Sequence, residues 1–539
     1  DQQKKILYVY PPTGMNMRKQ QFEVSRLNEL IVIKDSKNIN ISGIRFTGTN
    51  RTFMLTKEPL LRSDWTIFRG GAILLDKTEN ISISDNQFSN LGGNAIFVSN
   101  YNRHANITGN VIENIGGSAI AFVGNPDAVR SPAFNYNQNI NWNQMDYRSG
   151  PKSPNYPANC TASNNLIHDI GTIEKQVAGI EISMSSEIVV SHNTIYNVPR
   201  AGINIGDGCW GGHIIEFNDV FNTVLETGDH GAFNSWGRDR FWRSDRKQID
   251  SIVAAKPGIE LLDVIKPITL RHNRFRCDHG WDIDLDDGSS NYQIYNNVCL
   301  SGGLKLREGY HRTVTNNIII NNTFHPHVWL KNSDDVFSHN IVTSAYAPIQ
   351  INDWGRQVDS NFFLSEAGLK KAQALKIDLN SSWGDAMFVD AVTGNFRLKE
   401  NSPALKAGFK NIPMDFGVSS VKLAAKPKIT PLITQSVLAK NKSITWLGAT
   451  FKNVEMPGEQ SAAGLSDLNG ALVVVVPRGS VAAKNQLIEG DVIIMLNGEK
   501  INSIDGLMKS YQANKWKGAV DCVIFRNQGE KKVRISFKN

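Results

Sequence analysis

The sequence is poor in what marks several large classes of protein. Among 539 residues there are five cysteines, Cys160, Cys209, Cys277, Cys299 and Cys522, widely scattered and never in a CxxC spacing. That scarcity excludes a dense disulfide framework and a thiolate zinc site, and the five read as buried thiols. No segment approaches the roughly 18 consecutive apolar residues of a membrane span. Proline is sparse at 19 residues and charged residues make up 20%, so the chain is neither collagen-like nor disordered. A charge field of one sign is missing too. The net charge is +7, but the 17 Lys and Arg against 9 Asp and Glu from Gly417 onward more than account for it, leaving the first 416 residues near −1. Without clustered Lys and Arg, the N-terminal part has no footprint for nucleic-acid phosphates. The expectation is a soluble, folded chain of at least two domains.

What is abundant is repetition. Related phrases recur every 20 to 30 or so residues: NINISGIRFTGT (38–49), NISISDNQFSNLGGNAIFV (80–98), NITGNVIENIGGSAIAFV (106–123), SNNLIHDIG (163–171), SEIVVSHNTIYNVPRAGINIGDG (186–208), HIIEFNDVFNT (213–223), YQIYNNVCLSGGLKL (292–306) and HRTVTNNIIINNTF (311–324). Alternating apolar residues indicate strands, and Asn tolerates the left-handed backbone of a sharp corner, where stacked Asn side chains can bond along a ladder. This pattern predicts an all-β, right-handed parallel β-helix over residues 1–420, whose coils share one core by stacking at roughly 4.8 Å per rung. A long shallow groove runs along such a stack. The pattern fails at 125–160, 237–265 and 365–415. The first two are expected to project as loops beside the groove, where function concentrates. The chain opens at Asp1 and runs into ILYVY (6–10), a strand-like stretch, from which a removed leader or upstream segment is expected.

After about Val421 the grammar changes. AAKPKITPLITQ reads as a linker, placed at 421–440, and residues 441–539 contain ITWLGATF, GSVAAKNQLIEGDVIIMLNGEKI, a helical SIDGLMKSYQA and a final hairpin VDCVIFRNQGEKKVRISF. This region resembles a PDZ domain, a small α+β module, which implies a peptide or protein partner. Trp446 to Thr450, WLGAT, falls where that family places its carboxylate-binding loop and departs from the common Gly-Leu-Gly-Phe pattern.

The strands that would line the groove align as AGIEISMS (178–185), AGINIGDG (201–208), HGAFNSWG (230–237), WDIDLDDG (281–288), GGLKLREG (302–309) and HVWLKNSD (327–334). Ile180, Ile182, Ile203, Ile205, Ile283, Leu285, Leu304, Leu306, Val328 and Leu330 then point inward. The same alternation throws Asp282, Asp284 and Asp286 onto one exposed face, about 6.5 to 7 Å apart. Adjacent rungs add Glu181 and Asp207 on one side and Lys305, Arg307, His327 and Trp329 on the other, while ETGDHGAFNSWGRDR brings Asp229, His230, Trp236, Arg238 and Asp239. Acids for proton transfer, Arg and His for hydroxyls and Trp for ring stacking are the makings of a sugar site. Glycoside hydrolysis uses two carboxyls about 5 to 5.5 Å apart for retention or about 6.5 to 9.5 Å for inversion. Neighbouring rungs meet the first spacing and same-strand residues the second. Crowding should keep one carboxyl protonated while its neighbour stays ionised. Asp284 is placed at the centre, with Asp229 or Asp286 as partner, and on that reading Asp284→Asn abolishes turnover.

Plainer readings stand beside this one. Such a row can hold a calcium ion or be a solvated face, although hydrolysis itself requires no cofactor. Lys305 and Arg307 can be salt-bridge partners, His327 a structural histidine and Asp207 the organiser of a Gly-rich turn. His168, His192, His272 and His339 read as corner residues. Trp142, Tyr147 and Tyr156 either wall the site or staple the first insertion.

The run VPRAGINIGDGCWGGHIIEFNDVFNTVLETGDHGAFNSWGRDRFW (198–242), followed by WDIDLDDGSSNYQIYNNVCLSGGLKLREGYHR (281–312), is similar to bacterial parallel β-helix carbohydrate-active proteins, and most of all to glycoside hydrolase family 141. The resemblance spans about residues 1–415. It implies a secreted or periplasmic enzyme that cleaves plant polysaccharide, as an α-L-fucosidase or xylanase, with aspartates as the catalytic pair. In such proteins ILYVYPP usually follows an earlier region. Two alternatives remain: a polysaccharide lyase with Lys305 and Arg307 in the elimination, and a glycan-binding scaffold without catalysis.

Overall fold

The computed structural model describes residues 3–6, 8–63, 65–424, 443–454, 459–460 and 463–537. Residues 425–440 of the expected linker lie outside the described residues. Two long parallel sheets build the N-terminal body. The larger has 23 strands and the smaller 12, from Arg45–Phe46 to Ser382–Trp383. Strands pair in parallel with those a coil away, in register for Ala178–Ser183 with Ala201–Ile205 and for Trp281–Leu285 with Leu304–Arg307. This is a parallel β-helix, as the alternation predicts, and Ile180, Ile203, Phe233, Ile283 and Leu304 stack in its continuous core.

The corners explain why the coils stay in register. Asn86, Asn110, Asn165, Asn193, Asn218, Asn273, Asn297, Asn317, Asn340 and Asn361 are buried and stacked. Each Nδ2 donates to the Oδ1 of the next, for example Asn193 to Asn218 at 3.0 Å and Asn218 to Asn273 at 2.9 Å. The residue before nearly every one of them takes a positive φ, including His192, Phe217, His272 and His339. Three of the four corner histidines therefore turn the chain. His168 differs: it ends the strand Leu166–His168 and stacks on Tyr196 at 4.9 Å. Asn218→Ala would strand the Asn193 side chain and the Val190 carbonyl, which Asn218 serves at 2.9 Å. A loss of about 3 kcal/mol is expected, read as a lowered urea midpoint.

The two insertions fold onto each other beside the larger sheet. Residues 237–265 contain the helix Arg246–Ala255, and Arg243 reaches the Ile140 carbonyl at 2.7 Å while its guanidinium stacks on Trp142 at 3.7 Å. Phe241, Trp242, Ile249, Ile259, Tyr310, Leu330 and Met145 form their joint core. Tyr147 donates to the Trp142 carbonyl, and Tyr156 packs on Trp210 at 4.3 Å, so these aromatics staple the insertion. The described residues of the ILYVY stretch, Ile6 and Tyr8 to Tyr10, are exposed and outside the sheets, and the first paired coil begins only at Ile31–Ser42.

From Ser443 the chain forms a separate seven-stranded antiparallel sheet with helices Val481–Lys484 and Ile504–Asn514 around Trp446, Phe451, Val473, Ile493 and Leu507. Leu447 and Gly448, both at positive φ, make the tight turn between its first two strands. Among the described residues, no helix is long and apolar enough to cross a membrane.

Candidate functional site

On the outward face of the larger sheet, register alone builds a polar column across six strands. Glu181 pairs with Asn204, Asn204 with Asn234, Asn234 with Asp284, Asp284 with Lys305 and Lys305 with His325. Their neighbours on either side, such as Ile283 and Leu285, face the core, so the column's direction follows from the two-residue period.

Lys305 is the hub. Its Nζ lies 3.0 Å from Asp284, 3.1 Å from Asp286 and 3.7 Å from Asp229. Burial disfavours the ammonium, but Asp284, Asp286 and Asp229 outweigh it and raise the Lys305 pKa above its ordinary value. Burial also pushes Asp284 well above the usual carboxylate range, despite Lys305. Asp286 goes the other way: burial raises it, yet Lys305, Arg307 and Arg238 together hold it below the usual range. The two carboxyls that share this cation are thus pushed in opposite directions.

Access separates the three acids. Asp284 and Lys305 point away from the solenoid but are fully covered, whereas the side chains of Asp229 and Asp286 are 57% and 16% exposed. The expected exposed row is corrected accordingly: only Asp286 of its three members reaches solvent. Asp282 serves the backbone instead. It accepts from Cys277 N at 2.7 Å, Ser301 N at 2.9 Å and Gly303 N at 3.1 Å, and burial pushes it up to about 7.

Above Lys305 lies a second ionic tier that the sequence reading missed. Arg307 Nε contacts Asp287 at 2.9 Å and Asp286 at 3.7 Å. Arg238 Nε meets Asp287 at 3.2 Å, and its guanidinium rests on Tyr136 at 4.6 Å. Glu308 takes Arg246 at 2.6 Å and the Trp242 indole N–H at 2.9 Å. Asp287 and Glu308 stand beside residues already singled out, but Arg238, Trp242 and Arg246, which complete their partners, come from the folded second insertion.

Several predicted contacts fall elsewhere. Asp207 organises its Gly-rich turn, accepting from Ser183 Oγ at 2.6 Å and from Met184 N and Cys209 N. Trp236 is buried beside Trp65, with Arg200 and Arg238 over its ring at 5.4 and 5.7 Å, so cations occupy the surface expected for a sugar. His230, next to Asp229, contacts Arg200 Nη2 at 2.7 Å and is kept neutral by burial and that arginine. His327 is buried against Trp281. Trp329 turns inward onto Phe324 at 5.9 Å, because the register shifts between Leu306 and Arg307 and inverts the alternation beyond it.

Outside this cluster, Cys209, Asp239 and Asp263 bring one ligand atom each within 4.8 Å of one another. Arg240 takes both Asp263 oxygens at 2.9 Å, Arg62 adds a second cation at 3.9 Å and Asp239 accepts from Gly208 N at 3.0 Å. Two guanidinium ions already balance these carboxylates, so a divalent metal would meet repulsion there.

A family model described as a right handed beta helix region matches residues 71–242 and 241–363, more than half of the chain. The chain belongs to this right-handed β-helix family. The match fixes the handedness of the solenoid and spans every member of the Lys305 cluster. No curated protein matches this β-helix chain. Among solved structures it is similar to one named "Glycoside hydrolase", at 11% identity and a TM-score of 0.32, covering 65% of this chain and 48% of that one. A second, "The complex structure of XylC with xylose", shares 12% identity with a TM-score of 0.26, covering 54% of this chain and 46% of that one. The β-helix chain therefore spans about half the length of the solved structures it matches.

Proposed function

We propose that the protein is a glycoside hydrolase acting on plant cell-wall polysaccharide or oligosaccharide, with Asp286 as base or nucleophile and Asp229 as general acid. The observation that carries this is the Lys305 ammonium within 3.0 to 3.7 Å of three carboxyl groups, two of which reach solvent. Asp286, held ionised by Lys305 and Arg307, suits attack or water activation, and Asp229, the more exposed, suits the leaving-group oxygen. Asp284 lies underneath and sets how much of the Lys305 charge remains for the other two. Lys305 supplies the positive charge that calcium would otherwise bring, so the proposed reaction needs no cofactor.

Elimination is the weaker reading. A lyase base must be neutral to accept the α-proton, and the carboxylates around Lys305 hold it protonated. The α-L-fucosidase or xylanase character, and a secreted or periplasmic setting, rest on the likeness of residues 198–242 and 281–312 to family 141. The antiparallel sheet beyond Ser443 is read as a PDZ-like module for a peptide partner, supported by its GSVAAKNQLIEGDVIIMLNGEKI run.

A plant-glycan panel tests the proposal. Reducing ends are expected from at least one fucosylated or xylan substrate, with NMR of the first-formed product giving the anomeric outcome. Products absorbing as unsaturated uronates, or no cleavage across the panel, would overturn it.

A further inference from the structure

Glu181, Asn204, Asn234 and Asp284 are buried and stand in register on four successive strands. Asn204 Nδ2 lies 2.9 Å from Glu181 Oε2, and Asn234 Nδ2 lies 2.9 Å from Asn204 Oδ1. On its other side, the Asn234 amide stands 3.2 Å from Asp284 Oδ2, a hydrogen bond when the nitrogen is turned that way. The column spans about 14 Å, three strand spacings.

Two amides in series constrain what stands at their ends. Each offers an N–H on one side and a C=O on the other, so a head-to-tail pair gives one carboxyl a donor and the other an acceptor. The carboxyl facing N–H can be ionised. The one facing C=O must carry a proton, or two acceptors meet in a dry interior. With both amide nitrogens toward Glu181, the proton belongs on Asp284. With both amides turned over, Asn234 donates to Asp284, and the proton belongs on Glu181.

We infer that Glu181 is a positioning residue that governs the protonation of Asp284 through concerted reversal of the Asn204 and Asn234 amides, so that the two carboxyls are never ionised together. Moving between the two states takes a proton from one carboxyl to solvent and returns one to the other. The groups facing each end are consistent with this sharing. Asp284 faces Lys305, Asp286 and Asp229, and Glu181 faces Asn204, Arg200 and Asp207. Burial raises both acids, and one cation opposes it at each end, Arg200 at Glu181 and Lys305 at Asp284. The consequence for turnover rests on the reading of Asp229 and Asp286 as the reacting pair, since an ionised Asp284 takes Lys305 charge away from them. The coupling itself does not.

The test reads protonation rather than activity. In protein labelled with 13C at the aspartate carboxyls, the Asp284 resonance, identified by its loss in Asp284→Asn, is titrated by NMR. Glu181→Gln is expected to move the Asp284 midpoint down by about one pH unit, a tenfold change in its ionisation constant, because a Gln amide at 181 feeds either polarity without a proton. In an Asn204→Ala background the same substitution should move it by less than about 0.3 unit. Where Asn204→Ala does not fold by near-UV circular dichroism, Asn204→Leu takes its place. Equal shifts in both backgrounds would reveal a through-space field, and no shift in either would remove the coupling; each result overturns the inference. An active enzyme without coupling sinks this inference alone, and a coupled column in a protein that cleaves no glycan sinks the other reading alone.

Discussion

Asp286→Asn is expected to lower kcat on the responsive glycan about a thousandfold, with KM and the near-UV circular dichroism largely unchanged. Asp286 is ionised because Lys305, Arg307 and Arg238 outweigh its burial, and an amide keeps its shape but neither its charge nor its basicity. Asp284→Asn is the informative contrast. An amide resembles a protonated carboxyl, and Asp284 is buried and raised well above the carboxylate range, so the loss there is expected to stay below about tenfold. This departs from the expectation, drawn from alternation alone, that Asp284 is the central reacting group. Steady-state kinetics on both variants decide: equal and severe losses would return Asp284 to the reaction centre, and a wild-type rate in Asp286→Asn would end the assignment.

The solenoid was legible because its determinants are local. A residue able to take positive φ followed by Asn recurs at 164–165, 192–193, 272–273 and 339–340, and each such pair builds one rung of the buried ladder. The charges around Lys305 were legible for the same reason, since Asp286 follows directly on the strand Trp281–Leu285 that carries Asp284, and Asp284 pairs directly with Lys305. Exposure was not, because it depends on residues far away in sequence. Tyr136, Trp242 and Arg246 come from the two insertions, whose packing on each other no periodicity encodes. Trp329 was misplaced by one irregular pairing, which reverses every later side chain on its strand. Asn204 and Asn234 occupied the right positions in the aligned strands but, uncharged, drew no notice beside the aspartates they connect.

Lys305→Met should be the most damaging single substitution for folding, with a loss of about 3 to 5 kcal/mol at pH 7. Met fills the volume of the stem but leaves Asp284 and Asp286 without the cation 3.0 and 3.1 Å away. The pH dependence gives the diagnostic sign. In the wild type the folded pKa of Asp286 is depressed, so its stabilisation is present above the unfolded value near 4 and fades as pH falls further. Without Lys305, Arg307 and Arg238 still act on Asp286, but both acids lose the cation nearest them and their pKa values rise, so the variant is least penalised below pH about 4 and loses stability relative to wild type as pH climbs through the raised values. Urea midpoints at pH 7 and pH 4 should therefore show a wide gap between wild type and variant that narrows on acidification. A gap that does not change with pH would mean that Lys305 stabilises through packing of its stem, and the charge-sharing account of the cluster would fail with it.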